Sequence, residues 1–148
     1  MNTAKKRRQV KGRNENGRFL SIPHCVMKCD DYINLSTNSK AIIYELTFQY
    51  NGRNNGNLTV ALSILKKRGF KRAATISVGV NELIKANLII RTREGKFQNP
   101  HSRCALYALT WKPIDECPGK DLDFAPTITP PRKFSLEKNK NPHYLKRV

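Results

Sequence analysis

Residues 59–87 read TVALSILKKRGFKRAATISVGVNELIKAN, and this stretch decides the fold. Thr59 suits a helix cap, and a helix is expected from Val60 to about Arg68, with Ala61, Leu62 and Leu65 facing inward. Gly69 stops it and Phe70 anchors the turn. A further helix is expected from about Arg72 to Ala86, because Ile76, Val80, Leu83 and Ile84 recur at helical spacing. Asn87 suits a left-handed cap. Gly79 sits mid-helix, at a cost of about 1 kcal/mol against alanine. It reads as a packing glycine that lets the preceding helix, or DNA, come close.

The flanks extend the pattern. Upstream, Val26–Tyr32 reads as a short helix after Pro23, which keeps the residue before it extended. Ser36 is an N-cap for a helix to about Tyr50, with Ile42, Ile43, Leu46 and Tyr50 on one stripe and Ala41, Tyr44 and Phe48 widening it. Asn51-Gly52 ends that helix, residues 53–57 form a polar loop, and Leu58-Thr59 suits a short strand. Downstream, Leu88–Arg93 and Cys104–Trp111 are β-rich and enclose a loop holding Gly95, Asn99 and Pro100. Helix, strand stub, helix, glycine turn, helix and hairpin is the order of a winged helix-turn-helix, an α+β fold.

The 148 residues divide into a basic arm (1–18), this domain (19–112) and an extended, proline-rich, charged C-terminal arm (113–148). Lys and Arg number 28 against 11 Asp and Glu, a net charge of +17. An excess of that size points to a polyanion and away from an enzyme for small neutral substrates. The expected partner is double-stranded DNA, with no membrane partner and no small-molecule substrate. Monomer and homodimer both stay open. No apolar run is long enough to span a bilayer, and the basic N-terminus is not followed by a secretory core, so a cytoplasmic location is expected. KKRR (residues 5–8) also allows a nuclear-localisation reading, which nothing else in the chain supports.

The expected DNA-reading face comprises Arg72, Ala74, Thr75, Ser77, Val78 and Asn81 on the last helix. Arg72 can reach guanine or phosphate, Thr75 and Ser77 bases or phosphates, and Asn81 adenine. Ala74 and Val78 can pack on a thymine methyl. Lys66, Lys67, Arg68 and Lys71 suit phosphates, although cations at a helix end also complement its dipole. Arg91, Arg93, Lys96 and Arg103 flank the hairpin tip, and Lys5, Lys6, Arg7 and Arg8 lie in the arm. Two other readings stay open: a protein-interaction module and an RNA binder. Against the latter, Phe97 is the only aromatic at the wing, too little for a stacking platform.

Catalysis has little support: His24, His101 and His143 are scattered, and no GxSxG, P-loop or HExxH spacing occurs. Cys25 and Cys29 lie beside His24, which invites a zinc reading. The spacing is not a tight CxxC, however, and Cys104 and Cys117 make no second pair. Separate reduced thiols and no cofactor are expected. Asp115, Glu116, Asp121 and Asp123 read as a segment that docks on a basic surface, the protein's own among the candidates, rather than a cation site.

Six segments carry a resemblance: FLSIPHCVM (19–27), LSTNSKAIIYEL (35–46), QYNGRNNGNL (49–58), LKKRGF (65–70), NELIKANLIIRTR (81–93) and LYALTWKPIDEC (106–117). Together they resemble small helix-turn-helix proteins of bacterial prophages, plasmids and integrated mobile elements, some of them replication-protein-like. The resemblance covers roughly residues 19–131. It implies a winged-helix DNA-binding protein, either a regulator or a replication-associated factor.

Overall fold

A computed structural model describes residues 17–98, 100 and 102–138. Pro23 is extended and leads into helix α1, His24–Lys28. Helix α2, Asp30–Ile33, follows at once, its N-terminus capped by the Cys29 sulfur, which accepts the Tyr32 amide at 3.4 Å. The single helix expected over 26–32 is therefore broken in two at Cys29, whose extended backbone (φ −71°, ψ 149°) interrupts the helical ladder.

Helix α3, Thr37–Gln49, starts where Ser36 caps it, the hydroxyl accepting the Ser39 amide at 3.3 Å. A carboxylate far along the chain reinforces that cap. Glu82 accepts the Ser36 amide at 2.7 Å, the Ser36 hydroxyl at 2.6 Å and the Ser39 hydroxyl. Negative charge is favourable at a helix N-terminus. These bonds, the Ser36 hydroxyl first, hold the Glu82 carboxyl below the usual glutamate range.

The next helix is shorter than its sequence suggests. Helix α4 covers only Leu62–Leu65 and tightens into a 3₁₀ turn, Lys66–Arg68, before Gly69 at φ 97°. The Gln49 side chain explains the late start. Its amide donates to the Thr59 carbonyl and its oxygen accepts the Thr59 N–H, both at 2.9 Å, and this pairing leaves Thr59 outside the helix. The Thr59 hydroxyl instead accepts the Ala61 amide at 3.2 Å, before the helix begins. The expected strand at Leu58-Thr59 is a single bridge, between Leu58 and Tyr107.

Helix α5, Ala73–Lys85, is capped by Arg72, so it is one residue shorter at each end than its periodicity predicts. Gly79 is buried, and the helix that comes close to it is α3, not the segment preceding the turn. A Cβ there would lie 2.5 Å from Ile42 Cδ1, and the Ser39 hydroxyl donates to the Gly79 carbonyl at 3.2 Å. Asn87 turns the chain at φ 55° into strand β1, Ile89–Arg93. It pairs antiparallel with β2, Leu106–Leu109, Ile89 opposite Leu109 and Arg91 opposite Tyr107. The register shifts between Arg91 and Arg93, and a second bridge, Lys96 to Arg103, carries the ribbon outward. Among the described residues the architecture is mixed α+β, five α-helices and one two-stranded antiparallel sheet. Ile42, Ile43, Leu46, Leu83, Leu88, Ile89 and Leu109 are fully buried and join α3, α5 and the sheet in one core.

Beyond Pro113 the described chain lies on this core instead of building another. Ile114, Cys117 and Phe134 are buried. Arg132 locks the segment down, donating to Asp31 at 2.6 Å, to Glu137 at 2.6 and 2.8 Å and to the Ala86 carbonyl at 2.9 Å. Its guanidinium stands 4.1 Å over the Phe134 ring, and its hydrogen bonds hold the Glu137 carboxyl below the usual range.

Asn55 makes the tightest junction. Its side chain is fully buried and donates to the carbonyls of Leu109 (3.0 Å), Lys112 (3.1 Å) and Pro113 (2.9 Å), while its oxygen accepts the Leu109 amide at 2.7 Å. Its own amide donates to the Asp115 carboxylate at 2.8 Å. Replacing it strands a buried amide N–H, the costlier side of a lost hydrogen bond. Asn55→Ala is expected to lower the unfolding free energy by about 3 kcal/mol, read from urea denaturation. Asn55→Asp should do no better, since a carboxylate would face three carbonyl oxygens. Glu82→Gln gives a pH signature. The depressed carboxyl contributes stability above its ordinary value of 4.5 and loses it as pH falls through the folded value. The variant should be less stable than the parent at neutral pH, and the gap should close on acidification.

Candidate nucleic-acid interface

The buried stripe of α5 (Ile76, Gly79, Val80 and Leu83) leaves its opposite side outside. Arg72, Ala74, Ser77, Val78 and Asn81 are exposed and Thr75 is half-buried. Ala74, Ser77, Val78 and Asn81 therefore share one uncovered ridge, with Thr75 at its edge and Arg72 at its N-terminal end. Val78 is 69% exposed, a large apolar side chain left in water at its crest. A groove runs along each flank. One, of 310 Å³, lies between Ala74, Thr75 and Val78 and the start of α3 at Ser36 and Asn38. The other, of 360 Å³, lies between Ser77 and Asn81 and the hairpin residues Arg91, Phe97 and Tyr107.

The expected cations divide into two kinds. Lys66, Lys67, Lys71 and Arg72 are exposed at the N-terminal approach to α5 and make no salt bridge among the described residues. Arg68 is engaged within the protein, its Nε 2.7 Å from the Glu45 carboxylate and its guanidinium 4.5 Å from the Phe48 ring centre. The hairpin shows the same division. Lys96 is exposed. Arg93 is a structural strut, donating to the Cys104 carbonyl at 2.8 Å and the Lys120 carbonyl at 2.9 Å. Arg91 reaches Glu94 at 3.4 Å and lies over the Tyr107 ring, while Arg103 is half-buried. Lys5, Lys6, Arg7 and Arg8 fall outside the described residues, as do His101 and His143.

Two further features mark this surface. The acidic part of the C-terminal segment runs along β1: the Asp123 amide donates to the Thr92 carbonyl at 2.7 Å, and its carboxylate accepts the Glu94 amide at 3.3 Å. Glu94, Asp121 and Asp123 are exposed there, beside Arg91, Arg93 and Lys120, so acids and cations alternate along that flank of the hairpin. The second is the prominence of Phe97, 92% exposed beside the hairpin tip. The cysteines are all free, and burial raises the thiol pKa of Cys29 and Cys117. Among the described residues no group of three or more His, Cys, Asp or Glu is placed to hold a metal ion, and no helix is long and apolar enough to cross a membrane.

The chain matches no protein-family model, no curated protein and no solved structure. Arg93→Ala is expected to lower the thermal midpoint by about 3 °C through loss of the carbonyl contacts. Lys66→Ala, Lys71→Ala and Lys96→Ala should leave it unchanged in the same calorimetric scan.

Proposed function

We propose that this is a winged-helix protein that binds double-stranded DNA with a sequence preference, laying α5 in the major groove. The observation that carries the reading is the α5 ridge. Short polar and small apolar side chains line it, nothing in the described structure covers it, and unpaired cations crowd its N-terminal end. Base edges in the major groove differ in donors, acceptors and methyl groups. Asn81 offers an amide for adenine, Ala74 and Val78 offer methyl groups for thymine, and Arg72 offers a fork for guanine or phosphate. Lys66, Lys67 and Lys71 supply phosphate contacts that hold the register without reading sequence.

The net charge of +17 favours a polyanionic partner. Such a protein suits the regulation or replication of a mobile element, in line with the sequence resemblance.

Selection from a random duplex pool at about 150 mM salt should enrich a motif. Arg72→Ala and Asn81→Ala should then weaken binding to the selected site by about tenfold, with a smaller loss on random duplex. Equal losses on both would remove α5 as the reading element. Deleting residues 1–18 should weaken binding to both and flatten the dependence of affinity on salt.

A further inference from the structure

Phe97 is poorly placed for a residue with only a structural role. A large ring 92% exposed forgoes the hydrophobic gain of burial and holds nothing together where it stands. The chain just before it, by contrast, is pinned. The adjoining residue Lys96 donates to Arg103 at 2.8 Å and accepts from it at 2.7 Å. One residue earlier the two arms of the hairpin nearly touch, since a Cβ on Gly95 would lie 3.3 Å from the Ala105 amide nitrogen. The ring thus stands just beyond the Lys96–Arg103 bridge of a narrow ribbon. It also faces the right way, because Phe97 lines the same 360 Å³ cleft as Ser77 and Asn81 of the α5 ridge.

A single apolar ring, flanked by cations and carried on a ribbon beside a groove-reading helix, has a definite use on DNA. Side chains of this kind wedge between adjacent base pairs from the minor groove, unstack one step and kink the duplex. We infer that Phe97 is such a wedge, so that the protein deforms its duplex as well as reading it. This rests on the duplex-binding reading above. One aromatic gives no platform for a run of unpaired bases, but it is sufficient to open one step.

The experiment uses the full chain and the duplex recovered by selection, with 2-aminopurine placed at successive positions and a fluorescence-transfer pair at the ends. The parent protein should raise 2-aminopurine emission several-fold at one step flanking the α5 site and shorten the end-to-end distance. Phe97→Ala should abolish both signals while still binding, with affinity lower by roughly tenfold. Phe97→Leu, apolar but not aromatic, should restore the kink. The thermal midpoint of Phe97→Ala should equal that of the parent. A lowered midpoint would place the ring in the cleft as a structural residue and overturn the wedge. Unstacking that persists in Phe97→Ala, or none in the parent, would also overturn it while leaving duplex binding intact. Failure to bind any duplex would remove both readings. Tight binding to single-stranded RNA that depends on Phe97 would assign the ring to stacking on unpaired bases instead.

Discussion

The amide of Asn55 is the point on which the rest of the fold turns. A buried primary amide is costly unless both its oxygen and its nitrogen are satisfied. Here the oxygen takes the Leu109 amide, and the nitrogen is shared among the carbonyls of Leu109, Lys112 and Pro113. That set of partners fixes where β2 ends and how the chain leaves it. Next door, the Gly56 carbonyl accepts the buried Thr92 hydroxyl at 2.6 Å, so the same loop also holds β1. Both strands of the hairpin are thereby registered against a loop that directly follows α3. Two of the segments that carry the resemblance, residues 49–58 and 106–117, meet at this junction. Their occurrence together has a physical cause, because neither is satisfied without the other.

A second junction sets the relation of the two long helices. Gly79 lets α5 touch α3 at Ile42 and Ser39, and Glu82, on the same helix, closes over the α3 N-terminus. Contact and cap together fix how α5 lies across α3. The outward ridge of α5 is therefore aimed by groups on its buried side.

The sequence was most legible where periodicity acts locally. The α5 stripe, the Ile42, Ile43 and Leu46 stripe of α3, the cap at Ser36, the turns at Gly69 and Asn87 and the two strands all follow from residues within a few positions of one another, whereas Tyr44 and Phe48, expected to widen the α3 stripe, are exposed. The exposure of the α5 face follows from the same arithmetic. What local pattern missed depends on partners far along the chain. Gln49 occupies the Thr59 backbone and shortens α4. Arg68 is engaged by Glu45, and Arg93 by the carbonyl of Lys120. A count of cations cannot separate those that face solvent from those used internally. The C-terminal segment read as extended because prolines and acids dominate it. Its anchors, Ile114, Arg132 and Phe134, are too widely spaced to form a periodic signal. Asn55 looked like an ordinary turn residue in a run of asparagines and glycines, and only its burial distinguishes it from Asn54.

The division of labour around α5 also bears on how such a protein can change. Every residue that holds the helix in place lies on its inner side, where Gly79 accepts no side chain at all. The outer positions 74, 77, 78 and 81 are exposed and carry little of the packing. Substitutions there alter the surface offered to a partner at small cost in stability, since changes away from buried features are usually worth less than about 0.5 kcal/mol. The scaffold and its preference are thus separable. A lineage could shift what the ridge recognises, one residue at a time, without passing through an unfolded intermediate.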